Sequence, residues 1–153
     1  LSKNPNGIPL LSKNINKIDW SILSGNPNAI ELLKEHPEKI DWEALSGNHG
    51  AIDLLDQHLD KVDWGEMCYN KKGISFILKH EAIVPLDKLH WMALSGKPEA
   101  LPLLEKNTEK IVWEFFSSNI RARELLDKRS DLRKHILWYY FSANPCIFYT
   151  YKL

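Results

Sequence analysis

Apolar and polar residues return along this chain in a fixed order. Six tryptophans set the register: Trp20, Trp42, Trp64, Trp91, Trp113 and Trp138, separated by 22, 22, 27, 22 and 25 residues. Two positions before each stands an aliphatic residue (Ile18, Ile40, Val62, Leu89, Ile111, Ile136). Three after each stands another apolar one (Leu23, Leu45, Met67, Leu94, Phe116, Phe141). A second apolar cluster comes later in each period. Ala29-Ile30 with Leu32-Leu33 recurs as Ala51-Ile52 with Leu54-Leu55, Gly73-Ile74 with Phe76-Ile77 and Ala100-Leu101 with Leu103-Leu104. It is weaker in Ala122-Arg123 with Leu125-Leu126. Positions i, i+1, i+3 and i+4 form one face of a helix and do not fit strand alternation.

The polar positions punctuate the same period. Asp19, Asp41 and Asp63 immediately precede Trp, where a carboxylate caps the N–H groups of a first helical turn. Four residues after Trp come Ser24, Ser46, Cys68, Ser95, Ser117 and Ser142, and six after come Asn26, Asn48, Asn70, Lys97, Asn119 and Asn144. Gly25, Gly47 and Gly96 read as C-terminal caps. Asn26-Pro27 opens a second helix that His36-Pro37 ends. Pro9 and Pro102 fall where such a helix would lose an interior hydrogen bond, so in those units it is expected to start later, near Asn6 and Glu99.

Periodicity of this kind marks stacked repeats. The expected fold is all-α: an α-solenoid of short helix pairs, about 22 residues per repeat. Residues 1–153 form one helical-repeat domain: a partial repeat at 1–19, repeats at 20–41, 42–63, 64–90, 91–112 and 113–137, and a C-terminal capping repeat at 138–153. The extra residues around Ile83-Val84-Pro85 and at 129–134 are expected in loops between repeats. The first residues match the middle of a unit, so the chain reads as a piece of a longer array. The aromatic run from Ile147 to Tyr151 reads as its closing cap.

The unit Asp19-Trp20-Ser21-Ile22-Leu23-Ser24-Gly25-Asn26-Pro27-Asn28-Ala29-Ile30-Glu31-Leu32-Leu33, continued by Pro37-Glu38-Lys39-Ile40-Asp41-Trp42, resembles a known repeat. It is similar to the Trp-x-x-Leu-Ser-x-Asn-Pro-x-Ala-Ile-x-Leu-Leu repeats of proteins in mimivirus-like and algal large DNA viruses. The ending from Ser142 to Tyr151 looks like the usual terminus of those proteins. The likeness covers nearly the whole chain. It departs at Tyr69-Asn70-Lys71-Lys72-Gly73 and at Arg123. The resemblance implies a viral protein acting in host cytoplasm or packaged in the virion. Some large-virus arrays adjoin an F-box-like segment, which implies substrate recognition for ubiquitin ligation; no such segment stands in this sequence.

Composition narrows the chemistry. With 20 basic and 20 acidic residues the formal charge is zero, which argues against a nucleic-acid partner. No apolar run approaches the roughly 18 residues of a membrane span. Cys68 and Cys146, far apart, read as reduced thiols. His36, His58 and His80 recur every 22 residues, which places them about a helix diameter apart and too far to share a metal. The repeated serines argue for packing or backbone bonding, since a nucleophile needs one serine beside one base. Each indole is expected to fill the gap between successive repeats. No enzyme, cofactor or metal site is expected. The leading reading is a non-enzymatic protein–protein interaction scaffold. A structural virion component (spacer or cement) and the recognition arm of a ubiquitin-ligase adaptor remain open beside it. Function belongs where repeats differ, so the partner-binding candidates are Tyr69, Lys71, Lys72, Arg129 and Arg133.

Overall fold

The computed structural model describes residues 2–145, which are all-α: twelve short helices joined by 3-10 turns, with no strand among the described residues. Two compact units divide the chain, Leu1–Leu89 and His90–Leu153. The first contains α1 (Ile8–Leu11), α2 (Trp20–Ser24), α3 (Ile30–Glu35), α4 (Trp42–Ser46), α5 (Ile52–Asp56), α6 (Trp64–Met67) and α7 (Gly73–Lys79). The second contains α8 (Trp91–Ser95), α9 (Leu101–Lys106), α10 (Trp113–Phe116), α11 (Ala122–Lys128) and α12 (Trp138–Ser142). Within the first unit α2 packs on α4 and α4 on α6; within the second α8 packs on α10 and α9 on α11.

Helices this short are unstable alone in water, so packing must hold them. Leu23, Leu33, Leu45, Leu55, Met67 and Ile77 are fully buried in the first unit, and Leu94, Leu103, Leu104 and Phe116 in the second. Burying each such side chain is worth about 1.5–3 kcal/mol. The recurrent aliphatic positions of the sequence supply most of these core residues.

Within each unit a buried polar ladder joins successive Trp helices. Ser24 Oγ donates to the Trp20 carbonyl of its own helix (2.8 Å) and accepts the N–H of Asp41, which caps the next Trp helix (3.0 Å). Ser46 does the same with Trp42 and Asp63, Ser95 with Trp91 and Val112, and Ser117 with Trp113 and Leu137. The asparagines complete it. Asn48 Nδ2 donates to the Ser24 carbonyl (2.9 Å), while its Oδ1 accepts the Gly50 N–H (2.9 Å) and shapes the next turn. Asn26 reaches Ser2, Asn70 reaches Ser46, Asn119 reaches Ser95 and Asn144 reaches Ser117 in the same way. Among the described residues no buried side-chain nitrogen or oxygen lacks a hydrogen-bond partner. The repeated serines and asparagines are thus consumed by stacking.

Several local expectations change. Asn26-Pro27 opens a 3-10 turn, Pro27–Ala29, and α3 starts only at Ile30. Pro102 and Pro9 then fall in the first turns of α9 and α1, where the missing N–H has no intrahelical role. The late start inferred for two units applies in α3, α5 and α9 alike, and reaches beyond Asn6 and Glu99. A second set of 3-10 turns, such as Pro37–Lys39 and Thr108–Lys110, fills what the sequence left as connections. Gly25, Gly47 and Gly96 do sit at helix ends, but with right-handed backbone, so no left-handed cap requires them. Gly73 is required for another reason. A Cβ there would collide with the Met67 carbonyl oxygen, where the other repeats accommodate an alanine.

The two insertions differ. Residues 80–85 make a turn with Ile83 exposed and Val84 buried. Residues 129–134 are not a loop: a six-residue 3-10 turn, Ser130–His135, is anchored by buried Leu132. The expected aromatic cap and Cys146 lie outside the described residues.

Candidate functional site

The indoles depart from the gap-filling role. Only Trp64 is buried, covered by Phe76 at a ring separation of 6.0 Å. Trp20, Trp42, Trp91 and Trp113 are half-buried, and Trp138 is 67% exposed. Half-exposed indoles rest against histidines: Trp20 on His36 (5.2 Å) and Trp42 on His58 (5.1 Å), both edge-on, and Trp113 stacked on His135 (5.0 Å). His80 pairs instead with Asp56, Nε2 to Oδ1 at 2.7 Å, where Lys79 Nζ also donates. The Lys79 and His80 hydrogen bonds hold the Asp56 carboxyl below its ordinary range. Among the described residues no group of three or more His, Cys, Asp or Glu side chains is placed to hold a metal ion. Nor is any helix there long and apolar enough to cross a membrane.

The five residues singled out for partner binding fall into two sets, one in each compact unit. Tyr69, Lys71 and Lys72 share one exposed turn between α6 and α7. The backbone of that turn is fixed by Asn70 Oδ1, which accepts the Lys72 N–H (2.9 Å), and by Ser75, whose hydroxyl donates to the Lys72 carbonyl (2.8 Å). Arg129 precedes the 3-10 turn after α11 and Arg133 lies within it. Arg129 is spent on a two-pronged pair with Asp131 (3.0 and 2.9 Å), which holds that carboxyl below its ordinary range.

Arg133 is placed differently. It lines a groove of about 290 Å³ with Arg123, Leu126 and Asp127 of α11, Ile136, and Trp138 and Phe141 of α12. Leu126 and Ile136 are nearly fully buried, and the Trp138 ring meets Phe141 edge-on at 5.8 Å. Asp127 takes Arg123 at 3.4 Å on one oxygen and Arg133 at 3.2 Å on the other. Arg133 Nε also donates to the Leu126 carbonyl (3.3 Å). An apolar groove with one fixed guanidinium and an exposed indole suits binding. In the sequence, Trp138, Ile136 and Phe141 stand out only as register residues. The signal that could have found the groove is the three-residue insertion, which swings Arg133 beside them. No family profile, curated protein or solved structure matches this chain.

Proposed function

We propose that the chain is an α-solenoid acting as a non-enzymatic scaffold for a protein partner. One observation carries the reading. The recurrent Ser and Asn side chains bond one repeat to the next in the buried interior, so chemistry toward the outside falls to the residues that vary. Among these, Tyr69, Lys71, Lys72 and Arg133 present exposed side chains on turns whose backbones are held by hydrogen bonds, Asn70 to the Lys72 N–H in one and Leu132 N–H to the Arg129 carbonyl in the other. The repeat resemblance supports a large-DNA-virus protein, acting in host cytoplasm or in the virion. Affinity capture with the full chain from infected-cell lysate, followed by mass spectrometry, tests this. A reproducible partner lost on charge reversal at Lys71, Lys72 or Arg133 is expected. A chain that captures nothing, yet is stoichiometric in purified particles, is a structural component and overturns the scaffold reading.

A further inference from the structure

We infer that the groove on His90–Leu153 is a docking site for a partner segment carrying a carboxylate beside an apolar side chain. This deepens the scaffold reading and rests on it. Charge complementarity selects the occupant. The lining holds two guanidiniums, Arg123 and Arg133, with Asp127 bonded to both beside an apolar wall. Arg133 is the group that meets the ligand. Its Nε–H is held by the Leu126 carbonyl and one N–H of Nη2 by Asp127, while a guanidinium carries five donors in a rigid fork. Three donors therefore remain, all on the two terminal nitrogens, on a side chain already fixed in orientation. That arrangement suits a planar carboxylate taken in two-pronged fashion. Beside it, Trp138 at 67% exposure offers an indole face, and Leu126, Ile136 and Phe141 form a floor for an aliphatic or aromatic side chain.

The test is selection of a random peptide library displayed on phage against the full chain, repeated with Arg133→Gln and with Trp138→Ala. Circular dichroism confirms that both variants fold. Enriched peptides should share Asp or Glu next to an apolar residue. Synthesised, they should shift the NMR signals of the Trp138 indole N–H and the Arg133 Nε–H. Binding should weaken about tenfold in Arg133→Gln and in a peptide with Asn or Gln for the acid, as befits loss of one charge-assisted contact. Trp138→Ala should weaken binding of both acidic and neutral peptides. Equal enrichment of neutral peptides, undiminished binding to Arg133→Gln, or binding seen only after residues 146–153 are removed would each overturn the inference. The scaffold reading fails separately. A lysate partner retained by Arg133→Gln removes the groove and leaves the scaffold, whereas no partner for the wild-type chain removes the scaffold itself.

Discussion

In Leu1–Leu89 the helices α2, α4 and α6 each begin on an aspartate, and Asp19, Asp41 and Asp63 accept N–H groups of Ile22, Ala44 and Glu66 at 3.1, 3.1 and 2.8 Å. In His90–Leu153 the matching helices α8, α10 and α12 begin on His90, Val112 and Leu137, and none receives a side-chain cap. Yet the Val112 and Leu137 main-chain N–H groups still donate to Ser95 and Ser117, as those of Asp41 and Asp63 do to Ser24 and Ser46. The position before Trp thus has two separable roles. Its backbone belongs to the ladder between repeats, and its side chain only tunes the start of one helix. A cap contributes about 1 kcal/mol, whereas a buried donor or acceptor left unpaired costs about 1–3 kcal/mol. The ladder outweighs the cap, so the second unit can lose its aspartates and keep its stacking.

Four sets of substitutions break or sharpen this comparison. The largest effect should come from a position the two units fill differently. Gly73→Ala drives a Cβ into the Met67 carbonyl and should cost about 3 kcal/mol in urea denaturation, whereas Ala122→Gly at the matching place in α11 should cost about 1 kcal/mol or less. Next, Asn48→Ala and Asn119→Ala should each cost about 2 kcal/mol, because both strand a buried serine carbonyl and an Asx-type turn. A clear inequality between these two would show that the ladder does not act alike in the two units.

The caps come third. Asp41→Ala should lose about 1 kcal/mol and Val112→Asp should gain up to about 1 kcal/mol, read from thermal and urea melts. Asp41 also carries a pH signature. A hydrogen bond from Ser21, then the Ala44 N–H, hold its carboxyl below the ordinary value of 3.8. A depressed carboxyl stabilises the fold above its unfolded pKa, and that contribution fades as pH falls from about 4 toward the folded value. Asp41→Asn, which can still cap, should flatten this acid limb and change little at neutral pH. The smallest effect is expected at the exposed ion pair of Lys128 with Glu105. Lys128→Met should stay within about 0.5 kcal/mol by the same melts.

The aspartate caps and the recurrent core positions of the helices were legible because each depends on spacing and on one local preference. What escaped depended on partners from another repeat or on a turn type. The 3-10 turns at Pro27–Ala29 and Pro37–Lys39 share their proline and asparagine signals with α-helix starts, so spacing could not separate them. Half-exposed Trp20 and Trp42 are partly covered by histidines 16 residues later, which spacing alone assigns to the surface. Ser21, which bonds Asp41, occupies no repeated position at all. Of the candidate site, Arg133 was visible as a basic residue in an irregular stretch. Its apolar neighbours were hidden among the regular ones. Arg129, equally visible, proves to be spent on Asp131.

The serine–asparagine ladder also restricts how such a chain can change in length. Residues 42–63 contain Ser46, which presents its carbonyl to Asn70 of the next repeat. They also contain Asn48, which draws on the carbonyl of the repeat before, and the Asp63 N–H that meets Ser46. Copying that stretch in frame supplies a donor for every acceptor it adds, so a lengthened array needs no compensating substitution. An insertion of any other size must instead be absorbed outside the ladder, as the 80–85 turn and the Ser130–His135 turn are. Those two places, freed from matching a neighbour, are where a new surface can arise without disturbing the stack, and Arg133 stands in one of them.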